Sequence, residues 1–597
     1  MREGLTRPLW LAAVVIAFCL PLFYGLGRTD MENDEAIYSY AVDGILAHGD
    51  WLNPVSSPHD DAIFLEKPPL KFWLVAAPMV LGVAPATELG MRLWDALFGS
   101  LAFIYVFLFG RRLAGSLCGF VAVLVLFVYG PLLFEHGLRN NNMEAPLVLS
   151  YCGAIYHYLL WSTAETRSRR RGHVLAASLY FLLGFMTKFV AACFLPILVL
   201  AATLVARNAR TRLVQDWKLW LAGAAVFLLL ASPWFIYQQM VAGTHFWRVI
   251  LGDHVYLRMT VAIDPSHIQP WNYYYKTIFR ELQYSGTEWL AVVGGVLLLV
   301  VGLATRRLEH LLIIAWFVVP LAIMSAGTSK LHHYAYPFLP PIALAAGYGP
   351  GLLFQKGWSY VEGIATGVQQ RIVASGLVGP VLRSVLLGLA AVAFAVAVAT
   401  VVFGQIDINV GGTRYFRNSH AARPLTVALV LATFAGSGVL AARILLPLAL
   451  LISILPSEAY EGSLRRTAID QHPMRSARDC LVRVRAQEVQ AHPPAPGIYA
   501  IGEQKWMLHS HYYYFRHVGR WERSDVVVDD EVLKGLFTPG QQRPILIGDA
   551  DYQAFKARHP DGLQSLSMLR LREVLLLMPG PYAVCDPSRQ TLAAPEQ

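Results

Sequence analysis

LWLAAVVIAFCLPLFYGLG (residues 9–27) is an unbroken apolar run. RTDMENDEAIYSYAVDGILAHGDW (residues 28–51) follows it at once and places the acids Glu32, Asp34 and Glu35 directly beyond it, ahead of the amphipathic stretch Ile37 to Leu46. The run follows Arg2 and Arg7, the flank of a signal peptide, but no small-x-small cleavage site comes after it and Phe18 spoils a lipoprotein box before Cys19. It reads as an uncleaved first span with a cytoplasmic amino end. The whole chain agrees: of 597 residues 55% are hydrophobic and 15% charged, with mean hydropathy +0.45. Soluble chains carry about 25% charged residues, so this one lacks the polar skin that a set of soluble domains needs. The six cysteines show no CxxC or metal spacing, and four lie in apolar runs, which argues against redox or zinc-cluster chemistry.

Further runs of spanning length occupy 89–110, 114–134, 143–161, 219–237, 289–304, 311–326, 336–353 and 385–403. Two longer stretches, 174–205 interrupted at Thr187-Lys188 and 425–455 interrupted at Arg443, read as hairpins. Together these predict an α-helical polytopic membrane protein with about thirteen transmembrane helices. The formal charge of +9 resides largely in basic connectors: Arg111-Arg112, Arg167 to Arg171, Arg207 to Lys218, Arg306-Arg307 and Arg371. Alternation puts every one of them in the cytoplasm, as the positive-inside rule asks. The charge is therefore topology, and no nucleic-acid partner is called for. Four connectors fall outside: 28–72, 135–142, 238–288 and 327–334. The membrane part covers 1–456, and an odd count sends 457–597 outside as well. That tail alternates helical stretches with short β-rich runs (497–501, 544–547, 574–578) and reads as a soluble α/β domain.

The outer connectors hold the residues with chemistry. Asp34 and Glu35 suit a helix amino end, and that is the plainer account of them. Glu66 and Lys67, followed by Pro68-Pro69, can be a solvated pair; Glu144, past Asn140-Asn141-Asn142, stands on the threshold of a hydrophobic run where a carboxylate is costly. Lys67, Arg258 and Lys330 lie on three separate outer segments, and snorkelling is the alternative for each.

The order of these motifs resembles the aminoarabinose-transferase and protein O-mannosyltransferase branch of the GT-C superfamily, integral-membrane glycosyltransferases that use polyisoprenyl-phosphate sugars. The resemblance rests on Asp34-Glu35, the amphipathic stretch, His48 to Trp51, Glu66-Lys67-Pro68 and Met143-Glu144-x-Pro146. It continues through Gly184 to Lys188, Ser232-Pro233-Trp234, Phe246-Trp247 to Arg258, and Ser329-Lys330-Leu331 with Tyr334 and Pro337. It covers Leu9 to about Tyr348. Departures are Asp253-His254 four residues before Arg258, Glu144 in place of an aspartate, and His332-His333 in place of Pro-Thr.

What the resemblance implies is transfer of a sugar from a polyisoprenyl-phosphate donor to a hydroxyl or phosphate acceptor (lipid A, a cell-envelope glycan or a protein) on the extracytoplasmic face of a bacterial inner membrane. Asp34 is expected as general base, with Glu144 as a second catalytic acid. A leaving phosphate calls for cations, and Lys67, Arg258 and Lys330 are the candidates. Glu35, Tyr334, His332 and His333 are expected to bind substrate. The resemblance further implies a divalent cation between Glu66 and His254; no other cofactor is called for. A transporter or flippase for a lipid-linked sugar is the rival reading, set against by acids at span ends rather than at the bilayer midplane.

Overall fold

The computed structural model describes residues 2–587 apart from 56–61, 262–263, 375–378, 411–412, most of 436–454, 492–496, 503–506 and 561. Among the described residues seven helices are long and apolar enough to cross a membrane: Glu88–Val128, Arg167–Ala192, Trp217–Thr260, Glu288–Thr305, Leu308–Ala326, His332–Gln355 and Pro380–Phe403. Phe194–Val205 with Arg207–Gln215, bent by 113°, makes an eighth if the pair is one span. The expected count of about thirteen is not reproduced, for physical reasons that differ along the chain.

Glu88–Val128 holds two of the expected spans. As one straight helix at 1.5 Å rise per residue it would measure ~60 Å, about twice the hydrocarbon thickness. It breaks at Ala114 and Gly115, where Gly115 takes φ 85°. Gly110 and Gly119 then meet backbone to backbone, since a Cβ on Gly110 would lie 2.6 Å from the Gly119 Cα. The arms fold back on each other through small residues, as helices do in lipid. Pro8–Phe23 is the first apolar run, shorter than the seven. Glu144–Thr163 carries Tyr151, Tyr156, His157 and Tyr158, which lower its apolarity, yet it is almost wholly buried. The expected hairpin over 174–205 breaks at Phe189 (φ 37°), and Phe194–Val205 beyond it packs on Leu308–Ala326. The second expected hairpin lies largely outside the described residues; Ala422–Ala435 is its described part. The connector over 238–288, expected on the outer side, is not loop at its start: after a break at Gly243 (φ 56°) the helix runs on as Arg248–Leu257 and Arg258–Thr260.

Beyond the membrane helices the chain forms a five-stranded sheet in the order Trp521–Ser524, Ile498–Ile501, Ile545–Gly548, Val574–Met578, Ser567–Leu571. The first three strands are parallel and the last two antiparallel. The three inner strands are the apolar runs expected from sequence, continuous because both sheet faces are covered by helices. The edge strands, Trp-Glu-Arg-Ser and Ser-Met-Leu-Arg-Leu, carry no such signal and go unpredicted. Ile498, Ala500, Leu546 and Leu576 face one core with Met474, Leu481 and Tyr514; Tyr499, Ile501, Ile547 and Leu577 face another with Val532 and Phe555.

The first of these cores also takes in Met31, Ala36, Tyr40 and Val42, so the sheet region shares its apolar face with the helix Asn33–His48. Polar contacts fix the dock. Asp30 accepts from the Met474 and Arg475 N–H groups at 2.7 and 3.2 Å. The Met31 N–H donates to the Tyr514 hydroxyl at 2.8 Å, which donates to Glu88 at 3.0 Å. Arg516 pairs with Asp43 and Arg572 with Glu32.

Two cysteines do pair, against the expectation from their spacing. Cys480, on Pro473–Ala491, is joined to Cys585, beyond the last strand. These are the two cysteines outside the apolar runs. Cys480→Ser is expected to cost this region about 2–4 kcal/mol, seen as faster proteolysis of residues 457–587 without loss of membrane insertion.

Candidate active site

The first helix beyond the membrane, Asn33–His48, starts where the sequence places it, with Asp34 and Glu35 in its first turn. The two acids part company there. Asp34 is 40% exposed and faces the His136 Nδ1 at 3.6 Å. Glu35 is 1% exposed and grips Arg92 with both oxygens, at 2.7 Å from Nε and 2.8 Å from Nη2. It also accepts from the Asn141 and Glu32 N–H groups at 2.8 and 3.0 Å. Burial alone would raise the Glu35 carboxyl; the Arg92 charge and these hydrogen bonds outweigh it and hold it below the usual carboxylate range. Glu35 is thus occupied by the protein itself, which corrects its expected role as a substrate ligand. Arg92 spends its remaining donors on the Leu26, Thr29 and Asp30 carbonyls. It ties the end of the first apolar helix to the turn that carries Asp34.

A cavity of about 140 Å³ lies among the outer segments; Asp34 is not part of its lining, but its carboxylate acts on the Lys67 ammonium, which is. The cavity's polar and charged lining residues include Glu66, Lys67, Lys188, His254, Arg258, His333 and Tyr334. Its other walls are Leu147, Phe189, Val190, Phe194, Ile250, Met324 and Phe338. Pro68-Pro69 sets Glu66 and Lys67 just ahead of the helix Leu70–Val80. Arg258 arrives at the end of the long helix, and the segment after Ala326 is zipped onto it: the Ser329 N–H donates to the Arg258 carbonyl at 2.9 Å and the Lys330 N–H to His267 at 2.8 Å. That brings Tyr334 to Arg258, whose guanidinium donates to the tyrosine hydroxyl.

Lys67 donates to the Tyr38 hydroxyl at 2.9 Å and lies over the Tyr38 and Phe64 rings. Burial pushes its ammonium down; the Glu66 and Asp34 carboxylates offset that, and Arg258 and Lys188 add to it. Lys188, read from sequence as the tip of a helical hairpin within the family-like stretch Gly184 to Lys188 and given no site role, ion-pairs with Glu144 and lies 5.1 Å from the centre of the Tyr334 ring. Glu144 is 3% exposed and also meets the His333 Nε2 at 3.6 Å. A carboxylate at this depth is tolerable because two bases hold it.

Lys330 does not join the cavity cations. Its ammonium is 3% exposed and donates to the backbone carbonyls of Gln269, at 2.8 Å, and Gly327. It fastens the 327–331 segment to 265–269, a correction to its expected contact with donor phosphate. His332 also stands outside the lining, 3.7 Å from Glu135.

Glu66 and His254 do meet, Oε2 to Nε2 at 3.5 Å. Burial works to raise the Glu66 carboxyl, but the His254 hydrogen bond and the charges of Lys67, His254 and Arg258 bring it down to about 2. Catalytic zinc sites use three protein ligands. Among the described residues no three His, Cys, Asp or Glu groups converge as a metal site, and Lys67 lies 3.9 Å from the same Glu66 oxygen. The donor set does not fit a protein-held ion, and an ammonium already supplies positive charge there.

Residues 66–237, which hold Lys67, Glu144 and Lys188, match the family model described as dolichyl-phosphate-mannose-protein mannosyltransferase. Over 345 residues the chain is 27% identical to undecaprenyl phosphate-alpha-4-amino-4-deoxy-L-arabinose arabinosyl transferase 2 of Pseudomonas fluorescens, covering 57% of this chain and 55% of the relative. With arabinosyl transferase 1 of the same organism it shares 28% over 359 residues, 58% of this chain and 60% of the relative. The matches thus span little more than half the length of these relatives. The fold is similar to the crystal structure of ArnT from Cupriavidus metallidurans bound to undecaprenyl phosphate, with a TM-score of 0.57 and 18% identity over 97% of this chain and 98% of that one. The chain is a multi-pass membrane protein with a GT-C-type fold and a sheet-bearing C-terminal region, and the resemblance to the aminoarabinose-transferase and mannosyltransferase branch holds.

Proposed function

We propose that this protein moves a sugar from a polyisoprenyl-phosphate donor to a hydroxyl or phosphate acceptor at the extracytoplasmic face of a bacterial inner membrane. The observation that carries the proposal is the cavity's lining, in which Lys67, Lys188 and Arg258, gathered around Glu66 and Tyr334, share one cavity with aliphatic and aromatic side chains. A lipid-linked sugar phosphate likewise joins an anionic group to an apolar chain. Arginine offers a planar fork and lysine a mobile point charge, and both suit a phosphate whose negative charge grows as it leaves. Asp34, exposed and near enough for its carboxylate to act on the Lys67 ammonium, takes the acceptor proton as the acceptor oxygen bonds to the anomeric carbon. The bond from that carbon to the phosphate oxygen breaks, and its electron pair leaves with the phosphate. Glu144 holds Lys188 and His333 in place, and Tyr334 orients Arg258.

The relatives' names support undecaprenyl phosphate as the carrier and a 4-amino-4-deoxyarabinose as the sugar. Residues 1–456 form the catalytic membrane part and 457–597 an extracytoplasmic domain; the disulfide Cys480–Cys585 favours that side, because such bonds persist in oxidising compartments. Lipid A, an envelope glycan and a protein remain the acceptor classes. Removing one charged phosphate contact costs about 1.5–3 kcal/mol, or roughly 10- to 150-fold. Lys188→Met is accordingly expected to weaken binding of undecaprenyl phosphate by about that factor, measured by native mass spectrometry of the purified protein. Unchanged binding in both Lys188→Met and Arg258→Met would remove the cavity as the donor site.

A further inference from the structure

The second outer connector holds a feature that the proposed transfer does not use. Glu135, His136 and Gly137 make a tight turn in which the Leu138 N–H returns to the Leu132 carbonyl at 2.7 Å. Only glycine fits at 137, where a Cβ would lie 1.8 Å from that carbonyl oxygen. The turn holds His136 at φ 55°, a conformation rare for a residue with a side chain. Its ring stacks on His333, with centroids 4.5 Å apart and planes inclined by 17°. Asp34 lies at one end of the stack, 3.6 Å from the His136 Nδ1, and Glu144 at the other, 3.6 Å from the His333 Nε2. His136 Nδ1 is buried and makes no hydrogen bond among the described residues.

We infer that His136 is a positioning and proton-accepting residue behind Asp34. The inference rests on the proposed transfer reaction. A carboxylate that has taken the acceptor proton must lose it before the next turnover, and an imidazole is a stronger base than a carboxylate by about two pK units in water. The proton passes from the Asp34 carboxyl to His136 Nδ1, Asp34 recovers its charge, and the imidazolium discharges to solvent, to which the His136 side chain is 28% exposed. The groups facing His136 are Asp34 from the helix Asn33–His48, His332 and His333 from the helix His332–Phe338, and Glu135 beside it; Glu144 and Lys188 stand behind His333.

Two measurements on the full chain in proteoliposomes test it. In the first, kcat is followed over roughly pH 5–9 with undecaprenyl phosphate-α-4-amino-4-deoxy-L-arabinose as donor and lipid A as acceptor. Wild type is expected to lose activity as pH falls; His136→Gln is expected to lower kcat about 10- to 100-fold, abolish that acid limb and leave the donor KM within about twofold. Imidazole is expected to restore part of the activity of His136→Ala, which a merely structural role would not allow. An unchanged acid limb in His136→Gln, or no rescue, overturns the inference. The second measurement needs no turnover: ¹⁵N-histidine titration of the wild type and of Asp34→Asn. The His136 midpoint is expected to fall in the variant, because a carboxylate neighbour favours the imidazolium, and a midpoint that stays put overturns the inference. If Asp34→Asn itself transfers normally, the parent reaction scheme fails; if it is inactive while His136→Gln keeps the acid limb, only this inference falls.

Discussion

Asp34→Asn is expected to lower sugar transfer by about 10²- to 10⁴-fold, the usual worth of a positioned general base. Asparagine keeps the shape and suits the first turn of a helix, but it cannot accept the acceptor's proton. Because Asp34 is 40% exposed, its replacement should leave folding intact, and binding of undecaprenyl phosphate should stay within about twofold of wild type, since Lys67, Lys188 and Arg258, the cations proposed to hold phosphate, stand elsewhere. The readouts are kcat with purified donor and native mass spectrometry for binding. A variant with full kcat would remove Asp34 from the chemistry. One that lost binding and turnover together would make it a donor ligand instead.

Arg92→Met is expected to have the largest effect on the fold. It leaves Glu35 buried without its partner, and breaking a buried pair costs about 3–5 kcal/mol. The sign of the pH dependence is expected to reverse. In the wild type the Glu35 carboxyl sits below the usual range, so its contribution to stability is present above a free carboxylate's pKa of about 4.3 and is lost as pH falls. In Arg92→Met burial is left to raise it, so the variant gains stability relative to wild type as pH falls. Thermal unfolding in detergent at two pH values checks this. The double variant Arg92→Met with Glu35→Gln should recover much of the loss, because no unpaired charge remains. A single variant as stable as wild type at neutral pH would mean that the pair does not hold the Asp34 turn.

The sequence made part of this site legible. Asp34 and Glu35 follow an apolar run directly, and Pro68-Pro69 marks Glu66-Lys67, so both pairs stood out by position. It could not separate Asp34 from Glu35, because their difference lies in Arg92, which is far along the chain inside an apolar run. A signal was present: Arg92 and Asp95 are charges in a stretch where unpaired charge is costly. Asp95 indeed pairs with Lys71 at 2.5 Å, both buried. Lys188 and His136 were missed because a lysine at a helical break and a histidine in a short connector have plain explanations; only the fold brings them to Glu144 and Asp34. Lys330 misled for the opposite reason. Its family-like motif is intact, but its ammonium is taken up by local carbonyls. In the C-terminal region the inner strands announced themselves as apolar runs, whereas pairing across 105 residues of sequence between Cys480 and Cys585 depends on the sheet order and was invisible.

The central claim is that this chain transfers a lipid-linked sugar, and the most direct measurement is mass spectrometry of envelope lipids, glycans and glycoproteins from a null strain carrying either wild type or Asp34→Asn at equal protein levels. The account predicts a species heavier by one sugar residue in the wild-type cells and its absence in the variant and the null. Identical spectra for all three strains, or the same sugar-bearing species with Asp34→Asn as with wild type, would contradict it.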